Sequence, residues 1–368
     1  MTRFIQRFIA FVVWLFEPAF LSLTNTMGLL GMIQFATMST SALTLADWSK
    51  RLDPDGTLPV IAELLGQSNE VLTDMLYVQG NLPTGHRVTI RTGLPAVYWR
   101  ALNAGVPGSR STTAQVDESV GMLEAYARVD KDLAMLNGNT AEFRLSEDSA
   151  FIEAMNQTMA QTVFYGSVAT NAASFTGLAT RYGAISGAGN AQNIIDAGGT
   201  LTNNTSIWLV GWGENTIFGT FPKGSQAGLI HEDMGQLTVY DANNNPYQAL
   251  QTHYQWKNGL VVKDWRYAVR ICNINTANLV AQSSAADIIT LLSRSLDRIP
   301  NWGMCKPVFY LNRTVYSMLR VQALNKSQNV LTVEKGLSQF GTPQSWLSFQ
   351  GVPLRRVDQL LNTEARVV

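Results

Sequence analysis

The chain has 368 residues, with 27 basic and 27 acidic side chains. That length allows two or three packed units with a sizeable core, and zero formal net charge weighs against a dedicated nucleic-acid binder. Charged residues make up only 15% of the chain, below the usual quarter, as expected of a surface largely hidden against other subunits. Cys272 and Cys305 are isolated in sequence and read as buried reduced thiols rather than a metal or redox pair. His86, His231 and His253 are the only histidines, which excludes a histidine-rich metal centre and leaves a Ser-His-Asp triad few options.

Residues 1–37 differ from the rest. Arg3 and Arg7 precede an apolar run from Phe8 to Phe16, and Glu17 and Pro18 interrupt it. Three readings stand: a signal-like leader, an assembly or core segment, and an upstream extension from a misplaced start, with Met38 as the natural beginning. No run is long enough for a transmembrane helix. From Leu43 to Val78 the pattern is helical, broken by the Asp53-Pro54-Asp55-Gly56 turn, and predicts two short helices in an arm.

At residue 81 the period changes. Arg87, Thr89 and Arg91 alternate with Val88 and Ile90, as on a strand with one wet face. Val97 to Arg100 reads as a resumption of strand, and residues 103–113, rich in Gly, Ser, Thr and Pro, read as a tip. Residues 84–132 therefore form a long two-stranded excursion. Such a ribbon is marginal alone in water and needs something to lie on. Arg87, Arg91, Arg100 and Arg110, with Trp99, are the candidate contacts with a neighbouring subunit; a solvated charged hairpin is the alternative.

Ser146 to Gly166 is the clearest element. Ser146 is a candidate N-cap, followed by Glu147 and Asp148 at the positive end of the helix dipole. Phe151, Met155, Met159, Thr162 and Val163 recur at helical spacing, and Gly166 is placed to end the helix through positive φ. A loop-rich stretch follows to Thr205. Strands are expected at 207–210, 216–221 and 236–240, with a turn at Asp241–Pro246. A hairpin over 249–271 is expected to turn at Asn258-Gly259. Ala285, Ile288, Ile289, Leu292 and Leu296 mark a helix ended by Pro300; residues 307–311 read as a strand, Asn312 or Thr314 as the next cap, and residues 346–349 and 351–354 as further strands.

Chemical motifs are weak. His231-Glu232-Asp233 could offer metal ligands but has no distant partners, and Gly187-Ala188-Gly189 and Gly211-Trp212-Gly213 read as turns rather than phosphate loops. No catalytic, cofactor or metal residue is assigned, and none of these features points to an enzyme.

The order of arm, hairpin, long helix, β-rich body and compact α/β unit resembles the major capsid protein of tailed bacteriophages. The phrases Thr44–Trp48, Gly80–His86, Arg91–Pro95, Ser146–Met155 and Gly351–Arg356 are similar to the phage major capsid protein GP seven family over about residues 38–368. The resemblance implies an α+β, Hong Kong 97-like capsid fold. Residues 38–83 would be the N-terminal arm, 84–132 the extended E-loop hairpin, and 133–282 the peripheral domain with spine helix 146–165. Residues 283–350 would be the axial domain, and 351–368 a return segment. It also implies self-assembly into hexamers and pentamers of an icosahedral shell. Portal and scaffolding proteins would be partners, double-stranded DNA would be packaged by non-specific contacts, and no cofactor or membrane would be involved. The particle would be assembled in a bacterial host cytoplasm and end as a virion. An encapsulin-like compartment of the same fold and a secreted hydrolase are the alternatives.

Overall fold

The computed structural model describes residues 66–136, 140–187, 189–241, 243–325, 331–337 and 343–368. The expectations for residues 1–65, including the leader-like run and the first arm helix, lie outside these. The described residues divide into two compact units. One holds Arg128–Phe143 and Met234–Gln251; the other holds residues 66–127, Arg144–Asp233 and Thr252–Val368.

The smaller unit has a core of Val129, Ala134, Phe143 and Leu250. Its short helix α2 (Lys131–Met135) is capped by Asp130, whose carboxylate accepts from the amides of Asp132 and Leu133. A tight turn in this unit is held by Asp241, which accepts from the Asn243 and Asn245 amides, both at 2.8 Å. Those bonds, that of Asn245 foremost, hold the Asp241 carboxyl below its usual range.

The larger unit begins with α1 (Val71–Asp74) and β1 (Tyr77–Gln79). The helical pattern anticipated through Val78 thus ends early, because Tyr77, Val78 and Gln79 pair in parallel with β7 (Ile217–Phe221). The ribbon strands are β2 (Gly85–Gly93) and β3 (Thr112–Ser119). Residues 94–111 between them form no regular structure apart from one turn. The strand expected at Val97–Arg100 is absent, since no chain lies beside it to pair with. After Ser119 the chain leaves the ribbon, and β4 (Gly121–Asp130) runs beside β9 (Pro246–Val262) in the large sheet.

β6 (Asn204–Trp212) is the centre of that sheet, and all nine of its residues are buried. β11 (Lys306–Leu311) and β10 (Ala268–Asn275) pair with it antiparallel, through Val308↔Val210 and Val269↔Leu209. β14 (Val352–Arg356) joins β11 in parallel, β13 (Pro343–Phe349) and β12 (Leu331–Leu337) follow, and β5 (Ile194–Asp196) borders β10. β8 (Leu229–Tyr240) pairs with β9.

The sheet is covered by helices. α3 (Thr140–Tyr165) has 26 residues, a rod of ~39 Å, and Met159, Ala160, Val163 and Phe164 are its buried face. It starts six residues before Ser146, because Thr140-Ala-Glu-Phe-Arg-Leu145 is itself helix-favouring. Ser146 is therefore an interior residue, and its carbonyl accepts from the Ser149 hydroxyl at 2.9 Å. Gly166 does end the helix, but not through positive φ. A Cβ there would lie 2.4 Å from the Phe175 carbonyl oxygen and 2.6 Å from that of Thr162. The residue is Gly because the returning chain passes against it.

A short α4 (Leu178–Arg181) and α5 (Thr276–Ala281) add cover. α6 (Ile288–Leu296) is capped by Asp287 and buries Ile288, Ile289, Leu292 and Leu296, the face marked by the sequence. Asn312, not Thr314, caps α7 (Arg313–Asn325), accepting from the Thr314 amide at 3.0 Å.

The core aromatics meet at an angle, Tyr182 edge-on to Trp208 and Phe164 tilted against it. Tyr182 and Phe164 lie against Trp208, with centroids 5.9 and 6.1 Å away, and Trp212 donates its indole N–H to the Tyr310 hydroxyl at 2.7 Å.

The largest departure from expectation is at Asn258-Gly259. β9 runs through both residues without turning. Asn258 is fully buried, and a Cβ on Gly259 would lie 2.7 Å from the Ser119 carbonyl oxygen. The glycine is needed because another backbone crosses it. The real reversal is the Asp241–Asn245 turn between β8 and β9.

A buried ion pair fastens the C-terminal segment. Arg270 on β10 donates to Glu364 at 2.8 Å, to Ser206 Oγ at 3.0 Å and to the Tyr182 carbonyl at 2.8 Å. Its guanidinium also lies 5.2 Å from the Trp208 ring centroid. Glu364 accepts further from Tyr165 and Ser206. Arg270→Met leaves this carboxylate buried and uncompensated and is expected to lower stability by ~3–5 kcal/mol. Urea unfolding of the unassembled chain measures it, and an unchanged midpoint would contradict the role assigned to the pair.

Candidate subunit-contact ribbon

The ribbon is fixed at its base. Gly85 pairs with Ser119, Val88 with Val116 and Arg91 with Thr113, and the register shifts between Arg91 and Gly93. Val88 is buried against Phe218 and Val261, and the His86 ring meets Phe218 edge-on at 5.4 Å. Burial, then the charge of Lys263, pushes the His86 pKa down, against the pull of Glu118. Gly85 is required by close approach, since a Cβ there would fall 2.0 Å from the Glu118 carbonyl oxygen.

The main tether is ionic. Glu118 on β3 is buried and receives both terminal nitrogens of Arg181 at 2.6 Å. The same guanidinium donates to the carbonyls of Thr176 and Leu260 at 3.3 Å. A planar fork suits this bidentate task.

The tip touches little of its own chain. Trp99 is 104% exposed, Leu102 97%, Val97 89% and Leu94 81%. Its internal bonds are local: Ser109 Oγ to the Ala96 carbonyl at 2.6 Å, and Arg100 Nε to the Ala104 carbonyl at 2.9 Å.

The candidate arginines are not brought together. Arg87 faces Asp117 directly across the ribbon, with bonds of 2.6 and 2.7 Å. Those bonds hold the Asp117 carboxyl below its usual range. Arg91 opens onto a cleft of about 630 Å³ shared with Lys263, Asp264 and Arg266. Arg266 is bound to Asp264 at 2.7 Å and Lys263 to Asn215 at 2.8 Å. Among the described residues, Arg91 and Arg110 have no carboxylate partner. Sequence reasoning did not single out Leu94, Val97 or Leu102, although a run of apolar residues around Trp99 was visible. Nothing local marks Arg181 as the partner of Glu118, 63 positions away.

Other chemical candidates resolve into structure. Asp233 pairs with Arg144 at 2.6 Å and the His231 ring lies 5.2 Å from Tyr254. Among the described residues no three metal-ligating side chains converge. Gly211 belongs to β6 rather than to a turn; a Cβ on it would lie 2.7 Å from Cys305 Sγ. Cys272 is buried as expected, which pushes its pKa up to about 12; Cys305, expected to be buried too, is partly exposed, and partial burial raises its pKa as well.

Comparison with known proteins gives a consistent result. The family model described as "Major capsid protein GP7" matches residues 53–368. A chain of the near-atomic structure of bacteriophage Epsilon15 is 30% identical, with 90% of this chain and 99% of that one covered and a TM-score of 0.71. Weaker likenesses include the bacteriophage JBD30 capsid, at 9% identity and TM-score 0.44 over 84% of this chain and 99% of that one. Another is the holo-SrpI encapsulin complex of Synechococcus elongatus PCC 7942, at 10% and 0.40 over 64% and 96%. A search of curated proteins gives no match. The fold is the Hong Kong 97-like fold of phage capsid subunits, in its α+β form. The chain belongs to the GP7 family of major capsid proteins, structural components of the phage virion.

Two measurements test this site. Glu118→Ala strands the Arg181 guanidinium and should cost ~3 kcal/mol, seen in urea unfolding; a change under ~0.5 kcal/mol, the scale of ordinary surface substitutions, would reject the tether. A thiol reagent at pH 8 should label Cys305 well ahead of Cys272 in the native chain, because Cys272 is fully covered and Cys305 is partly exposed. Equal labelling of the two would refute that assignment.

Proposed function

We propose that the chain builds hexamers and pentamers of an icosahedral shell around double-stranded DNA, and that the β2–β3 ribbon is the arm by which one subunit grips the next. Family membership supports oligomeric capsid assembly. The observation that carries the ribbon reading is the contrast between its anchored base and its uncovered tip. A fully exposed Trp99 beside exposed Leu94, Val97 and Leu102 forms an apolar patch of the kind that marks an association site. Tryptophan and arginine are also the side chains that most often dominate interface energetics, and the tip holds Trp99 with Arg100 and Arg110.

In this reading residues 38–83 act as the N-terminal arm and 84–132 as the E-loop. Residues 133–282 form the peripheral domain, 283–350 the axial domain and 351–368 the return segment. Portal and scaffolding proteins are partners during assembly. DNA is met through isolated basic residues and counterions without sequence readout. The zero net charge supports close packing of many copies, since it limits self-repulsion. The role is structural rather than enzymatic. The hydrolase alternative drew on residues 1–37, which lie outside the family match.

Negative-stain microscopy of the purified chain should show rings or shells. Trp99→Ala should raise the concentration required for assembly at least tenfold, the loss of ~1.4 kcal/mol or more per contact, while leaving the circular dichroism of the unassembled chain unchanged. Assembly of this variant at the wild-type concentration would remove Trp99 from the contact.

A further inference from the structure

The chain before residue 66 joins the larger unit through a strap, residues 67–74, that lies against residues 355–359. Main-chain and amide contacts hold its first half. Asn69 bridges with Val357, and Gln359 donates to Gln67 at 2.6 Å. The Ser68 amide donates to the Asp358 carboxylate at 3.2 Å, while the Asp358 amide donates to the Ser68 carbonyl at 3.1 Å. Val71 of α1 is fully buried.

The charged fastening is mismatched. Glu70, at the start of α1, and Asp74, at its end, both reach Arg355 of β14. Arg355 Nη1 is 3.0 Å from Glu70, but Nε and Nη2 lie 3.3 and 3.4 Å from Asp74. One guanidinium is thus shared by two carboxylates and fits the second loosely. The neighbouring cations are committed elsewhere. Arg356 of β14 lies 3.6 Å from Asp358, and Arg313 of α7 is bound to that same carboxylate at 2.8 Å. From β11 the fully buried Tyr310 donates its hydroxyl to Asp74 at 3.2 Å. From α7 Tyr316 stands near Glu70, with Arg320 beside it. From α3 Glu153 adds a third acid to the same cleft, bonded to the Gln67 amide, Asn156 and Gln157. Asp74 is the more enclosed of the pair, its side chain 15% exposed against 40% for Glu70. Two carboxylates that compete for one cation in a partly buried site favour the uptake of a proton.

We propose that the strap is a proton-operated latch: a proton taken up by the Glu70–Asp74 pair tightens it on β14, and release of that proton loosens it. The electrostatics run the same way. Burial pushes the Glu70 pKa up, Arg355 pulls it down and Asp74 pushes it up again, for a net rise. Burial also raises Asp74, against the pull of Arg355 and of the Tyr310 hydroxyl. A carboxyl whose pKa is higher docked than undocked holds its proton more tightly when docked. The strap therefore gains stability as pH falls through the raised values and loses that gain as pH rises through them. The latch stands whether or not the ribbon grips a neighbour.

Hydrogen exchange of the unassembled full chain, read by mass spectrometry and corrected for the intrinsic pH dependence of exchange, tests it. Protection of residues 68–75 should be ~threefold or more higher at pH 5 than at pH 7.5, while β6 changes less. Glu70→Gln keeps an oxygen for Arg355 and removes the competing charge. It should raise strap protection at pH 7.5 above wild type and flatten its pH dependence; if that variant does not fold, Asp74→Asn takes its place in the same comparison. Wild-type strap protection that is equal or lower at pH 5 would overturn the latch. So would a pH response shared equally by β6, which belongs to the whole fold, or a neutral variant that exchanges faster than wild type at pH 7.5, which marks a plain ion pair.

Discussion

The Arg270–Glu364 pair is the contact on which the larger unit closes. β6 and β10 lie side by side in its middle, and a charged residue on β10 points into that interior. A lone guanidinium there would be prohibitively desolvated. It is accommodated because the last residues of the chain return to meet it. Glu364 bridges in register with Asn204 at the start of β6, and Val367 is held by Asn273. The sheet centre is thus completed by a segment about 160 positions away in sequence, and the C-terminal segment that carries Glu364 cannot be lost without leaving Arg270 as an unpaired buried charge.

The ribbon obeys the opposite logic. Two strands cannot stabilise themselves in water, so its base is fastened by Glu118, Val88 and His86 while its tip remains outside any core. Fixing the base reduces the conformational freedom that association would otherwise remove. The body provides rigidity and the tip provides surface. In the proposed assembly that division would let the tip serve as a contact without drawing on the core of the larger unit.

What the sequence made legible follows from whether the information is local. The α6 face, the Asp241 turn and the alternation of Arg87, Val88, Thr89 and Ile90 all rest on neighbours within a few residues, whereas Gly166 ends its helix where expected but for a different reason, the passage of the returning chain at Phe175. Asn258-Gly259 has strong local turn chemistry, yet the strand continues, because Ser119 and Val120 cross it and fill the space a side chain would need. Ser146 has the chemistry of a cap, but an upstream run of helix formers extends the helix past it. The Glu118–Arg181 tether is invisible in sequence, since it depends on chain segments that meet only after folding.

Charge behaves similarly. A net charge of zero conceals an uneven distribution: the ribbon tip, residues 94–111, holds two arginines and no acid. At physiological ionic strength the screening length is about 8 Å. Charges of this kind therefore attract a partner little across solution and act mainly once the surfaces are near. In the proposed assembly they would select the orientation in which copies settle, while burial of Trp99 and its apolar neighbours would supply the adhesion. Contacts built this way can stay individually weak and reversible until repetition around a closed shell makes them collectively strong. A neutral chain with a charged tip would satisfy both requirements at once.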